Sequence, residues 1–155
     1  MATYIGEFGC RVDDKGRLLL PAGLKKQIPS EFLDLMVINR GMDQCLTLYT
    51  KQDWLEESKR INNLNDFNKT HRKLKRWFHN GASELKIDTA SRINIPKKLC
   101  EYAEIEQDVI VNAYDNKIEI WSKHLFEESM DFDSDAFSNL AEEVLGNDVQ
   151  PNGDE

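Results

Sequence analysis

Long apolar runs are missing from this 155-residue chain. Nowhere do about 18 apolar residues follow one another, so no membrane-spanning helix is expected. The first residues, MATYIGEFGC, lack a basic flank leading into an apolar stretch, which argues against a secretory signal. Cysteine is sparse: Cys10, Cys45 and Cys100 are odd in number, far apart and without a C-x-x-C pair. They fit reduced cytoplasmic thiols packed as small apolar side chains better than a disulfide framework or a metal site. The three histidines, His71, His79 and His124, include no H-x-x-x-H pair. No motif sets a nucleophile beside a base. An enzyme is therefore not expected, and neither is a metal, a cofactor or a small-molecule substrate.

Basic residues are missing after Lys123, whereas residues 126–155 hold ten acidic side chains. The net charge of -8 is thus a property of the C-terminal segment, since residues 1–125 carry twenty bases against eighteen acids. Taken whole, the acidity argues against nucleic acid as a partner. Its distribution removes that objection and leaves DNA binding permitted, without being diagnostic of it.

What the chain does contain is a pattern used twice. VDDKGRLLLPAGLKKQ at 12–27 and IDTASRINIPKKLCEY at 87–102 share an apolar residue, Asp, three positions, Arg, then Pro and Leu in register, 75 positions apart. In each copy a strand enters a turn, a second strand leaves it, and Pro21 or Pro96 ends the ladder and opens a short helix. Strand pairs follow in LMVINRGMDQCLTLYT and VIVNAYDNKIEIWS, and LTLYTKQDWLEES is echoed by IEIWSKHLFEES with a one-residue slip. Internal duplication is the strongest inference the sequence offers. Between the copies, Thr50 or Asp53 starts one helix, and a second is expected over Asp66–Asn80, ended by Gly81. That helix is expected to bury Phe67, Leu74, Trp77 and Phe78. Its other face carries Lys69, Arg72, Lys73, Lys75 and Arg76, either as a solvated surface or as a phosphate- or subunit-contacting one.

One half is too small to cover both faces of its own strands. Two halves that interleave their hairpins can close a common barrel, and a pseudo-two-fold then sets both Asp-x-x-x-Arg turns on one surface. The expected class is α+β, mainly β with flanking helices. The expected parts are a first repeat at 1–58, a basic connecting helix region at 59–82, a second repeat at 83–130 and a largely disordered acidic tail at 131–155. Within the tail, Phe137, Leu140, Val144 and Leu145 can line a short amphipathic helix. Asp13 with Arg17, and Asp88 with Arg92, admit two readings: salt bridges that hold each turn, or carboxylates that orient guanidinium forks toward phosphates or guanine edges.

DDKGRLLLP and DTASRINIP, together with HNGASELKID between them, resemble the MraZ family over roughly residues 1–130. That resemblance implies an AbrB-like swapped-hairpin barrel with both halves fused in one chain. It implies a sequence-specific regulator of transcription, cytoplasmic and nucleoid-associated. Such a protein binds double-stranded DNA at short direct repeats upstream of the division and cell-wall gene cluster, as a homo-oligomeric ring, octamer-like or larger. The DNA contacts it assigns are Arg17 and Arg92, supported by Lys15, Asp13 and Asp88. The second motif departs from the family, with Ala90 opposite Lys15 and Ser91 where Gly is usual. Either Ser91 bears a strain of about 1 kcal/mol or its turn is of another type. The rival reading is a partner-binding module of the antitoxin kind, with the acidic tail wrapped on a protein.

Overall fold

Tyr4–Arg11 forms strand β1, in which buried Tyr4 and half-buried Gly6, Phe8 and Cys10 alternate with exposed residues. The Asp13–Gly16 turn reverses the chain into β2 (Arg17–Leu19), and Pro21 opens helix α1 (Ala22–Lys25), which buries Leu24. A hairpin of β3 (Met36–Arg40) and β4 (Leu46–Thr50) follows. Thr50 caps α2 (Lys51–Asn62), its hydroxyl accepting from the Asp53 amide at 3.1 Å. Helix α3 (Lys69–His79) ends just before Gly81, which sits at φ +97°. The second half repeats the order: β5 (Ser83–Leu85), β6 (Arg92–Asn94), α4 (Lys97–Tyr102), β7 (Asp108–Asp115), β8 (Lys117–Ser122) and α5 (Lys123–Ser129). Ser122 caps α5 as Thr50 caps α2. A final helix, α6 (Ser134–Asp148), completes the computed structural model, which describes residues 3–148.

The two halves interleave rather than stack. β1 pairs with β7 of the other half, and β5 pairs with β3, giving a six-stranded antiparallel sheet of order β1-β7-β8-β4-β3-β5. β2 and β6 form a separate two-stranded ribbon. Both pairings between equivalent strands are reciprocal. In β4–β8, Thr47 faces Glu119, with Leu46 on Ile120 and Leu48 on Ile118, so residues 72 apart exchange partners. In β2–β6, Leu18 faces Ile93, with Arg17 on Asn94 and Leu19 on Arg92, so residues 75 apart do the same. Such exchange is the signature of a two-fold contact. The offset falls from 75 to 72 because the first half carries three extra residues, in the region of the 3-10 turn Ser30–Phe32.

This arrangement is consistent with a barrel. β1 and β5 lie at opposite edges of the large sheet, and each runs through a turn into the ribbon that joins the halves. Side chains of both halves meet in one core, including Leu18, Ile93, Leu24, Leu99, Leu48 and Ile120. Two outer clusters repeat one another. Tyr49 packs on Trp54 at 5.7 Å under α2, and Trp121 packs on Phe126 at 5.9 Å under α5.

Three expectations require correction. The basic helix starts at Lys69, not Asp66, because Asn65 accepts from the Phe67 amide and Asn68 caps the helix through the His71 amide. Its inward stripe is His71, Lys75 and Phe78, since Phe78 stacks on Trp54 at 5.3 Å; Leu74 and Trp77 face outward among the cations. The acidic segment, expected to be largely disordered, is helical over Ser134–Asp148, where only Asp135, Glu142, Glu143 and Asp148 are charged and Ala, Leu and Glu supply helix propensity. The tail's extreme end lies outside the described residues.

Candidate nucleic-acid interface

Strand alternation around Leu18 and Ile93 decides what the ribbon shows to its surroundings. Those two residues point into the core, so Arg17, Leu19, Arg92 and Asn94 stand on the opposite face. The turns at either end are built alike. Asp13 Oδ1 accepts from the Lys15 and Arg17 amides at 2.9 Å each, and its Oδ2 accepts from Arg17 Nε at 2.8 Å. Asp88 Oδ1 accepts from the Ala90 and Arg92 amides at 2.8 and 2.9 Å, and its Oδ2 from Arg92 Nε at 3.2 Å. Each carboxylate thus closes an Asx turn and holds one edge of a guanidinium. The backbone amide of Arg17 contributes most to holding the Asp13 carboxyl below its usual range, and that of Arg92 does so for Asp88. Both stay ionised at neutral pH.

Asp13, Arg17, Asp88 and Arg92 lie in two pairs, one at each turn of a single ribbon. Arg17 and Arg92 both line a shallow, open depression of about 510 Å³, with Asp13, Lys15 and Leu19. Among the described residues neither arginine's terminal nitrogens hydrogen bond to protein, so Nη1 and Nη2 of each remain available. The side chains are about two-fifths exposed. Lys15 lies on the turn, exposed, while Ala90 leaves the second turn without that charge. Ser91 takes φ +65° where Gly16 takes +81°, so both turns keep one geometry, and Lys25 Nζ donates to Ser91 Oγ at 2.7 Å.

Sequence reasoning missed Arg11 and Asn94. Arg11 lines the same depression and is tied to Gln107 at 2.8 Å and Asp108 at 3.5 Å; Asn94 sits opposite Arg17 in the ladder. The β alternation of RINI was the available signal for Asn94, whereas Arg11 needs the β1–β7 register, which no local pattern encodes.

Acid–base or nucleophilic chemistry finds little support. Burial pushes the Cys45 thiol up to about 12 and also raises Cys10 and Cys100, so none is a thiolate at neutral pH. A larger groove of about 1080 Å³ beside α1 is lined by no histidine and no carboxylate. Among the described residues no group of three His, Cys, Asp or Glu is placed to hold a metal ion, and no helix is long and apolar enough to cross a membrane.

Comparison with known proteins agrees with the duplication. The family model described as "MraZ protein, putative antitoxin-like" matches twice, over residues 3–77 and 78–148. The likeness therefore extends past residue 130, where the opening motifs alone had suggested it stopped. The chain is 42% identical over 149 residues to the transcriptional regulator MraZ of Christiangramia forsetii, covering 96% of each chain. It is 39% identical to that of Flavobacterium psychrophilum, covering 95% of this chain and 94% of the relative. For the regulator of Cytophaga hutchinsonii the identity is 35%, covering 94% and 96%. With two reciprocal Asp-x-x-x-Arg turns on a shared ribbon and a match along nearly its whole length, the chain belongs to the MraZ family.

Proposed function

We propose that this protein is a transcriptional regulator that binds double-stranded DNA through the β2–β6 ribbon and its two turns, and that it does so as a homo-oligomeric ring. The observation that carries this reading is the pair of brackets Asp13–Arg17 and Asp88–Arg92. Each fixes a guanidinium by its Nε edge and leaves the outer nitrogens for a ligand. A two-stranded antiparallel ribbon fits the major groove of B-DNA, where an arginine fork suits guanine O6 and N7 or adjacent phosphates. Lys15 adds a phosphate contact on the first turn, and the carboxylates position the arginines rather than touch DNA.

One ribbon is a weak site, because Asp13 and Asp14 stand beside Arg11, Lys15, Arg17 and Arg92 on the depression. Linking several copies on successive direct repeats raises affinity by about 10²–10⁴ through effective concentration, without any new contact. The targets suggested by family membership are repeats in the promoter of the division and cell-wall gene cluster. The names of the relatives, regulators and not enzymes, support the same class.

Arg17→Ala tests the assignment. In a gel-shift titration against a promoter fragment carrying the repeats, affinity is expected to fall by about 5- to 150-fold per lost bidentate contact. Denaturation midpoint and assembled mass should stay near wild type, since a half-exposed ion pair contributes little. Retained specific binding would overturn the reading; a collapse of stability would assign the bracket to the fold alone.

A further inference from the structure

Two helix faces are left bare by the fold, and their chemistry is reciprocal. On α6, Phe137, Leu140, Val144 and Leu145 recur at i, i+3, i+7 and i+8, a single stripe, and all four are exposed, Phe137 at 63%. Glu142 and Glu143 flank that stripe, one on each side, in a helix with no Lys or Arg. On α3, Leu74 and Trp77 are exposed, Trp77 at 64%, among Lys69, Lys73 and Arg76. The Lys73 ammonium lies 4.8 Å from the Trp77 ring centroid. Phe78 on Trp54 already commits the inner side of α3, so the Leu74–Trp77 face has no place in the core. Exposed apolar surface of this kind, rimmed by charge, marks a contact.

We propose that α6 of one copy packs its apolar stripe on the Leu74–Trp77 face of α3 in a second copy, with the acidic rim of the first against the basic rim of the second. DNA phosphates would satisfy the cations of α3 and leave Leu74 and Trp77 wet. A membrane surface would take α3 and leave α6 unexplained. A second copy of this chain answers both faces at once. The stripe fits: Phe137 to Leu145 rises about 12 Å along α6, within the about 16 Å of the 11-residue α3. Repeated head-to-tail from copy to copy, such a contact closes into a ring where its rotation allows; exchanged reciprocally between two copies it would stop at a dimer, and the assembled mass tells the two apart. The inference rests on the homo-oligomer reading above and supplies its interface.

The test is a charge exchange in the full chain, read by light-scattering mass across a dilution series. Glu142→Lys with Glu143→Lys should raise the concentration at which the assembly dissociates by at least about tenfold. Lys73→Glu with Arg76→Glu should do the same. The four changes combined, or the two variants mixed, should recover much of the loss, because coupling of this sort survives only between groups that face each other. All four residues are exposed, and circular dichroism of each variant confirms folding; should the α3 pair misfold, Trp77→Ser tests the same face. Assemblies indifferent to both sets would overturn this interface while leaving the ring reading intact. A wild-type chain that stays monomeric with and without DNA would overturn both. Loss of DNA binding by the α3 pair at unchanged mass would assign α3 to phosphate, and a mass restored only by a different bound protein would assign α6 to another partner.

Discussion

Gly16 and Ser91 hold the same left-handed position in equivalent turns, at different cost. A side chain at position 16 would place Cβ 2.7 Å from the Ile95 carbonyl oxygen, on top of the penalty for φ +81°. Ser91 bears a positive-φ penalty of about 1 kcal/mol, offset by the bond from Lys25, a type of contact that contributes about 0.5–1.5 kcal/mol. Gly16→Ser is therefore expected to destabilise by about 1–3 kcal/mol, whereas Ser91→Gly, which loses strain and hydrogen bond together, should stay within about 1 kcal/mol of wild type. Urea denaturation of the two variants checks this, and the opposite ranking would refute it. The two turns also differ in charge: the first keeps Lys15, while the second has alanine at the equivalent position 90. Restored symmetry of the backbone does not restore symmetry of charge.

Among the elements, Trp54 links parts that no local pattern joins. It lies in α2, tilts on Tyr49 of β4 and stacks on Phe78 of α3 with planes 9° apart. Trp54→Ala should cost about 3–5 kcal/mol and detach α3 first. The check is hydrogen exchange, where early loss of protection confined to Lys69–His79 would confirm the order, and uniform loss would contradict it. Legibility in the sequence follows the same division. Strands, caps and the short helices could be read because Pro21, Pro96, Thr50, Gly16 and the alternating apolar residues act through neighbours a few positions away. The facing of α3 could not, because Leu74, Trp77 and Phe78 all fit an apolar stripe and only the stack with Trp54 selects Phe78. Asp13, Arg17, Asp88 and Arg92 were found because the pattern occurs twice. Arg11 was not, because its place depends on β1 lying beside β7, across 96 positions from its bond with Gln107.

At the scale of the whole molecule, duplication and interleaving together make the halves interdependent. β1 finds its ladder only in β7, β5 only in β3, and β2 and β6 only in each other, so each half leaves two unpaired strands and half a core when alone. The family match divides the chain near residue 77, yet the contacts do not divide there. A fragment ending at 81 keeps the β3–β4 hairpin and α2, with Leu18, Leu24 and Leu48 stripped of Ile93, Leu99 and Ile120. Edge strands exposed in this way seek another partner. The fragments 1–81 and 82–155 are thus expected to show no cooperative melt as monomers, and to regain one when co-expressed, as a one-to-one complex with the spectrum of the intact chain. A dimer of fragment 1–81 is the other permitted outcome, since its β1 and β2 can pair with a copy where β7 and β6 stood. A monomeric fragment that melts cooperatively would contradict the interleaved topology, and with it the placement of Arg17 and Arg92 on one ribbon, because that ribbon exists only when both halves are present.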